Sequence, residues 1–292
     1  MPKKILIFEY ITSGGVSHEN LPDSLVNEGK MMVEALLANF LKFADIEIVT
    51  MQTTANVEKE FQQQLETVDA VWVIAPEFDG ILERFCNYAE QANKILLTSP
   101  AKAVALTANK LKTFQILKAA NIQTVPTEMF DLTLNYNQTK EWIIKPIDGA
   151  GSENTFLLTA PNDWQKLPFL EKNYIIQPHL NGDKTSLSCL FKNGSAQLVC
   201  INLQIFEIQN QQYALKKIDV NYKNDDGRYQ KIAEKIAHAF PDLFGYVGID
   251  LIEDENQCFV LEINPRLTTS FVDIERKVGM NIAELVLNLA NA

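Results

Sequence analysis

Residues 246–266 read YVGIDLIEDENQCFVLEINPR. Val247, Ile249 and Leu251 alternate with Gly248, Asp250 and Ile252; Phe259, Leu261 and Ile263 alternate with Val260, Glu262 and Asn264. Successive strand side chains point to opposite faces, so a period of two on each side of the polar run Asp254 to Gln257 predicts two strands joined by a turn. A turn centred on Asn256 sets Asp250 opposite Glu262, with Asn264 two residues further along the same face. Opposed like charges destabilise a strand pair. A divalent ion reverses that sign, and two carboxylates with an amide oxygen suit magnesium, which completes its shell with water and phosphate. A solvent-facing hairpin with hydrated acids is the alternative. The apolar flanks and the abrupt stop at Asn264-Pro265-Arg266, which brings a guanidinium beside the acids, leave the two readings level.

Upstream, Trp142-Ile143-Ile144-Lys145-Pro146 places a lysine at the end of an apolar strand, where it either snorkels or meets an anion. DGAGSEN follows at once, and Gly149, Ala150, Gly151 and Ser152 offer backbone N–H groups with little steric cover. The loop is neither GxxxxGK[ST] nor GxGxxG, and a plain hairpin turn is the competing reading. Lys110 opens a helix after Asn109. Lys216 and Lys217 end a strand segment, and either region can add positive charge to a polyphosphate site.

Residues 1–99 alternate short apolar strands (Ile5 to Phe8, Ile46 to Thr50, Ala70 to Ala75, Ile95 to Leu97) with helical spacing at Val33, Leu36, Leu37, Phe40 and Leu41 and near Ile81 to Glu90. That order predicts a parallel α/β sheet closed by Ser99-Pro100. Residues 100–172 carry a helix from about Asn109 to Ala120, with Leu111, Phe114 and Leu117 inward, then two strands around the small-residue loop. Residues 173–292 predict a larger mixed sheet, a helix near Tyr229 to Phe240 and a last helix carrying Ile282, Leu285, Val286 and Leu289. Trp142, Tyr174 and Tyr246 read as core.

The 292 residues are 47% hydrophobic and 22% charged, an ordinary globular balance. A net charge of -11 repels nucleic acid and anionic membranes, so neither is expected as a partner. Cys86, Cys189, Cys200 and Cys258 stand singly in apolar stretches without zinc spacing, which predicts buried thiols in a reducing compartment. No run suits a signal peptide or a membrane span, and the cytoplasm follows as the expected location. His18, His179 and His238 lack partners at ligand spacing and read as structural, with His179 on the surface.

Taken in order, ANK at 108–110, WIIKPIDGAGS at 142–152, IIQPHLNGDKTS at 175–186, GIDLI at 248–252 and LEINPR at 261–266 resemble the ATP-grasp superfamily. The resemblance implies an α/β fold of the ATP-grasp kind, in which an N-terminal parallel domain precedes two antiparallel-sheet lobes that clamp ATP. It implies Lys110, Lys145 and Lys216 (or Lys217) at the phosphates, the loop Asp148 to Ser152 closing over them through Gly149, Gly151 and Ser152, Gln177 and Leu180 at the adenine, and Asp183 at the ribose. Magnesium or manganese would sit on Asp250, Glu262 and Asn264. Gln177 departs from the acid usual in the family, although an amide still accepts a hydrogen bond, and Pro178 removes a hinge donor. The opening IFEYITSGG and closing LEINPRLTTSF are similar to the tyramine–glutamate ligase group within that superfamily.

The chemistry so implied is amide formation through an acyl phosphate. The substrates expected are a small carboxylate such as glutamate and an amine such as tyramine, within synthesis of a furan-type one-carbon carrier; a homodimer is left open. Arg266, just past the metal strand, would stabilise the acyl phosphate or the oxyanion. The loop Glu9 to Gly15 follows the first strand, at the end where open parallel sheets bind ligands; it either helps hold the amine or amino-acid substrate, with Thr268, Thr269 and Ser270 facing it, or is a plain connecting loop. A nucleotide-binding module without chemistry, a small-molecule kinase and a dipeptide-type ligase are the competing readings.

Overall fold

The stretch KILIFE forms strand β1 (Lys4–Glu9), covered on both faces: Ile5 and Ile7 enter one apolar cluster, Leu6 and Phe8 another. Such a strand belongs inside a parallel sheet. The computed structural model describes residues 2–16, 23–131, 133–134, 136–149, 154–167, 173–209, 212–254 and 257–291. After β1 come helix α1 (Asp23–Phe40), strand β2 (Glu47–Thr50), helix α2 (Val57–Leu65), strand β3 (Ala70–Ile74), helix α3 (Ile81–Gln91) and strand β4 (Ile95–Leu96). The four strands pair in parallel in the order β2-β1-β3-β4. Helices α4 (Ala101–Ala108) and α5 (Lys110–Ala119) follow, with Asn109 between them capping α5 by accepting from the Lys112 amide at 2.9 Å.

The remainder builds a second sheet from β5 (Glu128–Met129), β6 (Trp142–Pro146), β7 (Phe156–Leu158), β8 (Tyr174–Pro178), β9 (Asp183–Lys192), β10 (Ser195–Gln209), β11 (Gln212–Lys223), β12 (Gly245–Glu253) and β13 (Cys258–Asn264). Helices α6 (Pro161–Trp164), α7 (Arg228–Ala239), α8 (Ile274–Val278) and α9 (Ile282–Asn291) accompany it. Its order is β13-β12-β9-β10-β11-β7-β6-β8-β5. The expected two antiparallel lobes are there as its two halves, β5–β8 and β9–β13. They are joined edge to edge where Gln212 of β11 pairs with Phe156 of β7.

The larger half buries Leu187, Val247 and Ile249 against Tyr229, Ala233 and Ile236 of α7. The smaller half has a core of its own around Ile144, Phe156 and Ile176. A third cluster joins the two sheets: Ile5, Ile7 and Trp72 of the first pack with Tyr246, Phe271, Ile282 and Val286 of the C-terminal elements. Ser99 adds a polar tie, donating to the Phe244 carbonyl at 2.9 Å and accepting from its amide at 3.1 Å.

Several sequence expectations change. In α5 the inward residues are Lys110, Thr113 and Leu117, while Leu111 and Phe114 are only partly buried; the helix is turned to bring Lys110 inside. Leu41 is 86% exposed, lying past the end of α1. Helix α4 went unpredicted because AKAVALTA has too many small residues to show an apolar stripe. All four cysteines are buried and free of disulfides, and no helix among the described residues is long and apolar enough to cross a membrane.

Candidate functional site

The predicted hairpin forms as β12 and β13, with Asp250 directly opposite Glu262 and Gly248 opposite Asn264. One detail departs from strict alternation. A β-bulge makes Leu261 an extra residue between the pairs Asp250–Glu262 and Leu251–Val260, so Val260 and Ile263 both enter the core and Leu261 turns onto the cleft beside Glu262. Asp250, Glu262 and Asn264 therefore share one wall of a cleft that lies between the two halves of the second sheet.

Amide groups surround Asp250: Gln204 donates to Oδ1 at 3.1 Å and Asn264 to Oδ2 at 2.9 Å. Since the nitrogen of Asn264 is engaged, its oxygen is the atom left as a ligand. Burial and the neighbouring Glu262 charge push Asp250 up to about 6. Burial acts upward on Glu262 as well, but the Lys110 and Lys145 ammonium groups outweigh it and hold that carboxyl at about 2. Lys145 donates to Glu262 Oε1 at 2.9 Å, and Lys110 lies 3.5 Å from the same oxygen while donating to the Gly149 carbonyl at 2.7 Å. The lysines are 7% and 8% exposed, and burial lowers Lys110. Among the described residues no three His, Cys, Asp or Glu side chains form a metal cluster. The candidate set is two carboxylates opposed across the strands and an amide oxygen, hard donors of the kind that suit magnesium.

Gln177 lines the cleft at the end of β8. Its amide donates to Thr127 Oγ1 at 2.8 Å, and that hydroxyl gives its single hydrogen to the Val125 carbonyl at 2.8 Å. Thr127 can only accept from Gln177, which settles the amide orientation and leaves its oxygen as acceptor. Leu180 lines the cleft beside it. His179, expected on the surface, is nearly buried: Nδ1 lies 2.6 Å from Glu141 Oε2 and Nε2 lies 2.9 Å from the Tyr213 hydroxyl, a chain that crosses from the smaller half to β11. Lys184 stands over the Tyr213 ring, 4.7 Å from its centroid, and burial lowers it.

Arg266 lines the other part of the cleft. Glu77, just beyond β3, accepts from its Nη2 at 2.7 Å, and the Leu267 carbonyl accepts from Nη1 at 3.0 Å. Thr268, Thr269 and Ser270 line the cleft. The loop Glu9 to Gly15 does not: the Glu9 carboxylate turns back to accept from the Ile11 and Thr12 amides at 3.2 and 2.6 Å, closing the loop on itself. Glu28 of α1 lines the cleft instead.

Gly149 lines the cleft, whereas Gly151 and Ser152 lie outside the described residues, as does His18. Asp183 opens β9 with an exposed side chain one residue before Lys184, and is not part of the lining. Lys216 is not brought to the cleft. It pairs with Glu207 across the exposed face of the β10–β11 ribbon, and Lys217 is exposed as well, because Tyr213, Leu215 and Ile218 take the inward positions. Lys184 escaped the sequence reading although it carried a signal: Lys184, Ser186 and Ser188 alternate with Thr185, Leu187 and Cys189, a polar face on a strand. Glu28, Gln204 and Tyr213 had none.

Residues 107–270, more than half of the chain, match the ATP-grasp domain family. The chain belongs to the ATP-grasp family. Residues 31–104 match the pre-ATP-grasp domain that accompanies it. The tyramine–L-glutamate ligase of Methanocaldococcus jannaschii is 26% identical across 98% of this chain and 89% of its own length. A solved ATP-grasp superfamily protein from Archaeoglobus fulgidus is also 26% identical, with a TM-score of 0.74 over 98% of this chain and 88% of that one. The D-alanine–D-alanine ligase of Bacillus anthracis, solved with ATP, shares the fold at 13% identity, with a TM-score of 0.71 over 99% and 97% of the two chains.

Proposed function

We propose that this ATP-grasp protein is an ATP-dependent carboxylate–amine ligase that joins the side-chain carboxylate of glutamate to tyramine or a similar amine in the synthesis of a furan-type one-carbon carrier. The convergence across the cleft of Lys110 and Lys145 with Asp250, Glu262 and Asn264 carries the reading. It is supported by likeness along nearly the whole chain to a protein named for that reaction.

Gln177 accepts from the adenine amine through the oxygen that Thr127 leaves available. Lys110 and Lys145 hold the terminal phosphates; each ammonium has three donors, so a phosphate oxygen can be taken on while Glu262 is kept. Asp250, Glu262 and Asn264 would hold magnesium or manganese, which would neutralise phosphate charge. A carboxylate oxygen attacks the terminal phosphorus and ADP leaves. The amine nitrogen then attacks the acyl carbon, losing a proton as phosphate departs. Arg266, oriented by Glu77, donates to the oxyanion of that second step. The reading divides the chain into an N-terminal domain at 1–99, a small lobe at 100–172 and a metal-bearing lobe at 173–292, and places the enzyme in the cytoplasm.

The experiment is an ADP-release screen with glutamate and other acids against a panel of amines, followed by mass analysis. Release that requires both an acid and an amine, with an amide product, is expected. Release with the acid alone and a stable phosphorylated product would instead make the protein a kinase, and ATP binding without release would make it a binding module.

A further inference from the structure

Four carboxylates act on Arg266: Glu9, Glu28, Glu77 and Asp250. Glu77 is buried and already forms the ion pair, and Glu9 spends its oxygens on the Ile11 and Thr12 amides. Glu28 and Asp250 both line the cleft, but Asp250 already accepts from the Gln204 and Asn264 amides. Thr269 donates to Glu28 Oε2 at 2.7 Å across 241 residues of sequence, and among the described residues no other side chain donates to it. Arg266 is thus paired without Glu28, and this carboxylate leaves surplus negative charge on the cleft wall near it. One carboxylate with a hydroxyl is too poor a set of hard oxygens for a second divalent ion. It suits a primary ammonium, a compact cation with three donors.

We propose that Glu28 receives the ammonium group of a substrate, so that the enzyme selects ammonium-bearing partners over neutral ones. This rests on the ligase reading and deepens it. The ammonium belongs either to the amino-acid substrate or to the amine before it loses its proton, and kinetics tells the two apart.

The test compares wild type with Glu28→Gln, which keeps the size and an acceptor for Thr269 but removes the charge. KM is measured separately for ATP, for the acid and for the amine. A rise of about ten- to a hundredfold in KM for one ammonium-bearing substrate is expected, with KM for ATP unchanged. The substrate whose KM moves is the one Glu28 holds. No rise in any KM, or an equal rise in all three, would overturn the assignment, since a residue that merely supports the fold would not discriminate. Wild-type activity with an unresponsive variant defeats this inference alone; a wild type silent with every acid–amine pair defeats the ligase reading and this inference together.

Discussion

Glu262 is the residue on which the cleft turns. It opposes Asp250 across the strands and takes Lys145 and Lys110 on one oxygen. Glu262→Gln removes the carboxylate proposed for the metal and leaves two buried lysines without it. The predicted result is a fall in kcat of about a hundredfold or more, since pre-set charge at the reacting centre is commonly worth that much. Circular dichroism should show the fold retained. Turnover near that of wild type at saturating magnesium would remove Glu262 from the metal set. Lys145→Ala should instead raise KM for ATP by roughly tenfold or more, the worth of a charge-assisted hydrogen bond; an unchanged KM would take Lys145 off the phosphates.

Strand β12 brings the sheet and the site together. Gly248 precedes Asp250 on the cleft face, and a Cβ there would meet Thr268 Cγ2 at 2.6 Å. Thr268 is β-branched and its hydroxyl lies 3.0 Å from that of Tyr246, so it cannot simply swing aside. Gly248→Ala should displace the Thr268–Ser270 segment and lower kcat/KM for the acid or the amine by about tenfold, leaving KM for ATP near wild type; kinetics unaltered in all three substrates would refute it. At the far end of the strand, Glu253 is buried and accepts from Tyr222 at 3.1 Å and from Lys223 and Tyr229. Burial works against its ionised form, but those donors win and depress its pKa below 4.5. A depressed carboxyl contributes stability above its unfolded value that is lost as pH falls through the folded one. Glu253→Gln should cost about 2 kcal/mol at neutral pH. The gap from wild type in urea melts should close as pH drops below 4.5; a gap independent of pH would show that the charge is not what matters.

The whole molecule places the cleft where its parts meet. Lys110 comes from α5, Lys145 from β6, Gln177 from β8 and Glu262 from β13, while Arg266 is tied to Glu77 of the first sheet. Among the described residues the two halves of the second sheet are joined by the Gln212–Phe156 strand pairing, the His179–Tyr213 bridge and the Lys145–Glu262 ion pair. A ligand gripping both halves should therefore raise thermal stability. At a hundredfold excess over Kd, MgATP is worth about 2.7 kcal/mol, and for a chain of this size that is a rise in Tm of roughly 5 °C. No shift with MgATP at millimolar concentration would contradict a nucleotide site bridging the halves.

Local pattern alone carried the strand–turn–strand hairpin, the pairing of Asp250 with Glu262, the parallel first sheet and the position of Lys145 at a strand end, because alternation and turn chemistry act over a few residues. The bulge at Leu261, the inward turn of Lys110, the outward turn of Lys216 and the near-burial of His179 were settled by packing among elements far apart in the chain. Glu28 shows why: nothing beside it in α1 marks it, and its role follows from Thr269 and Arg266, which only the docking of the first sheet onto the second brings to it.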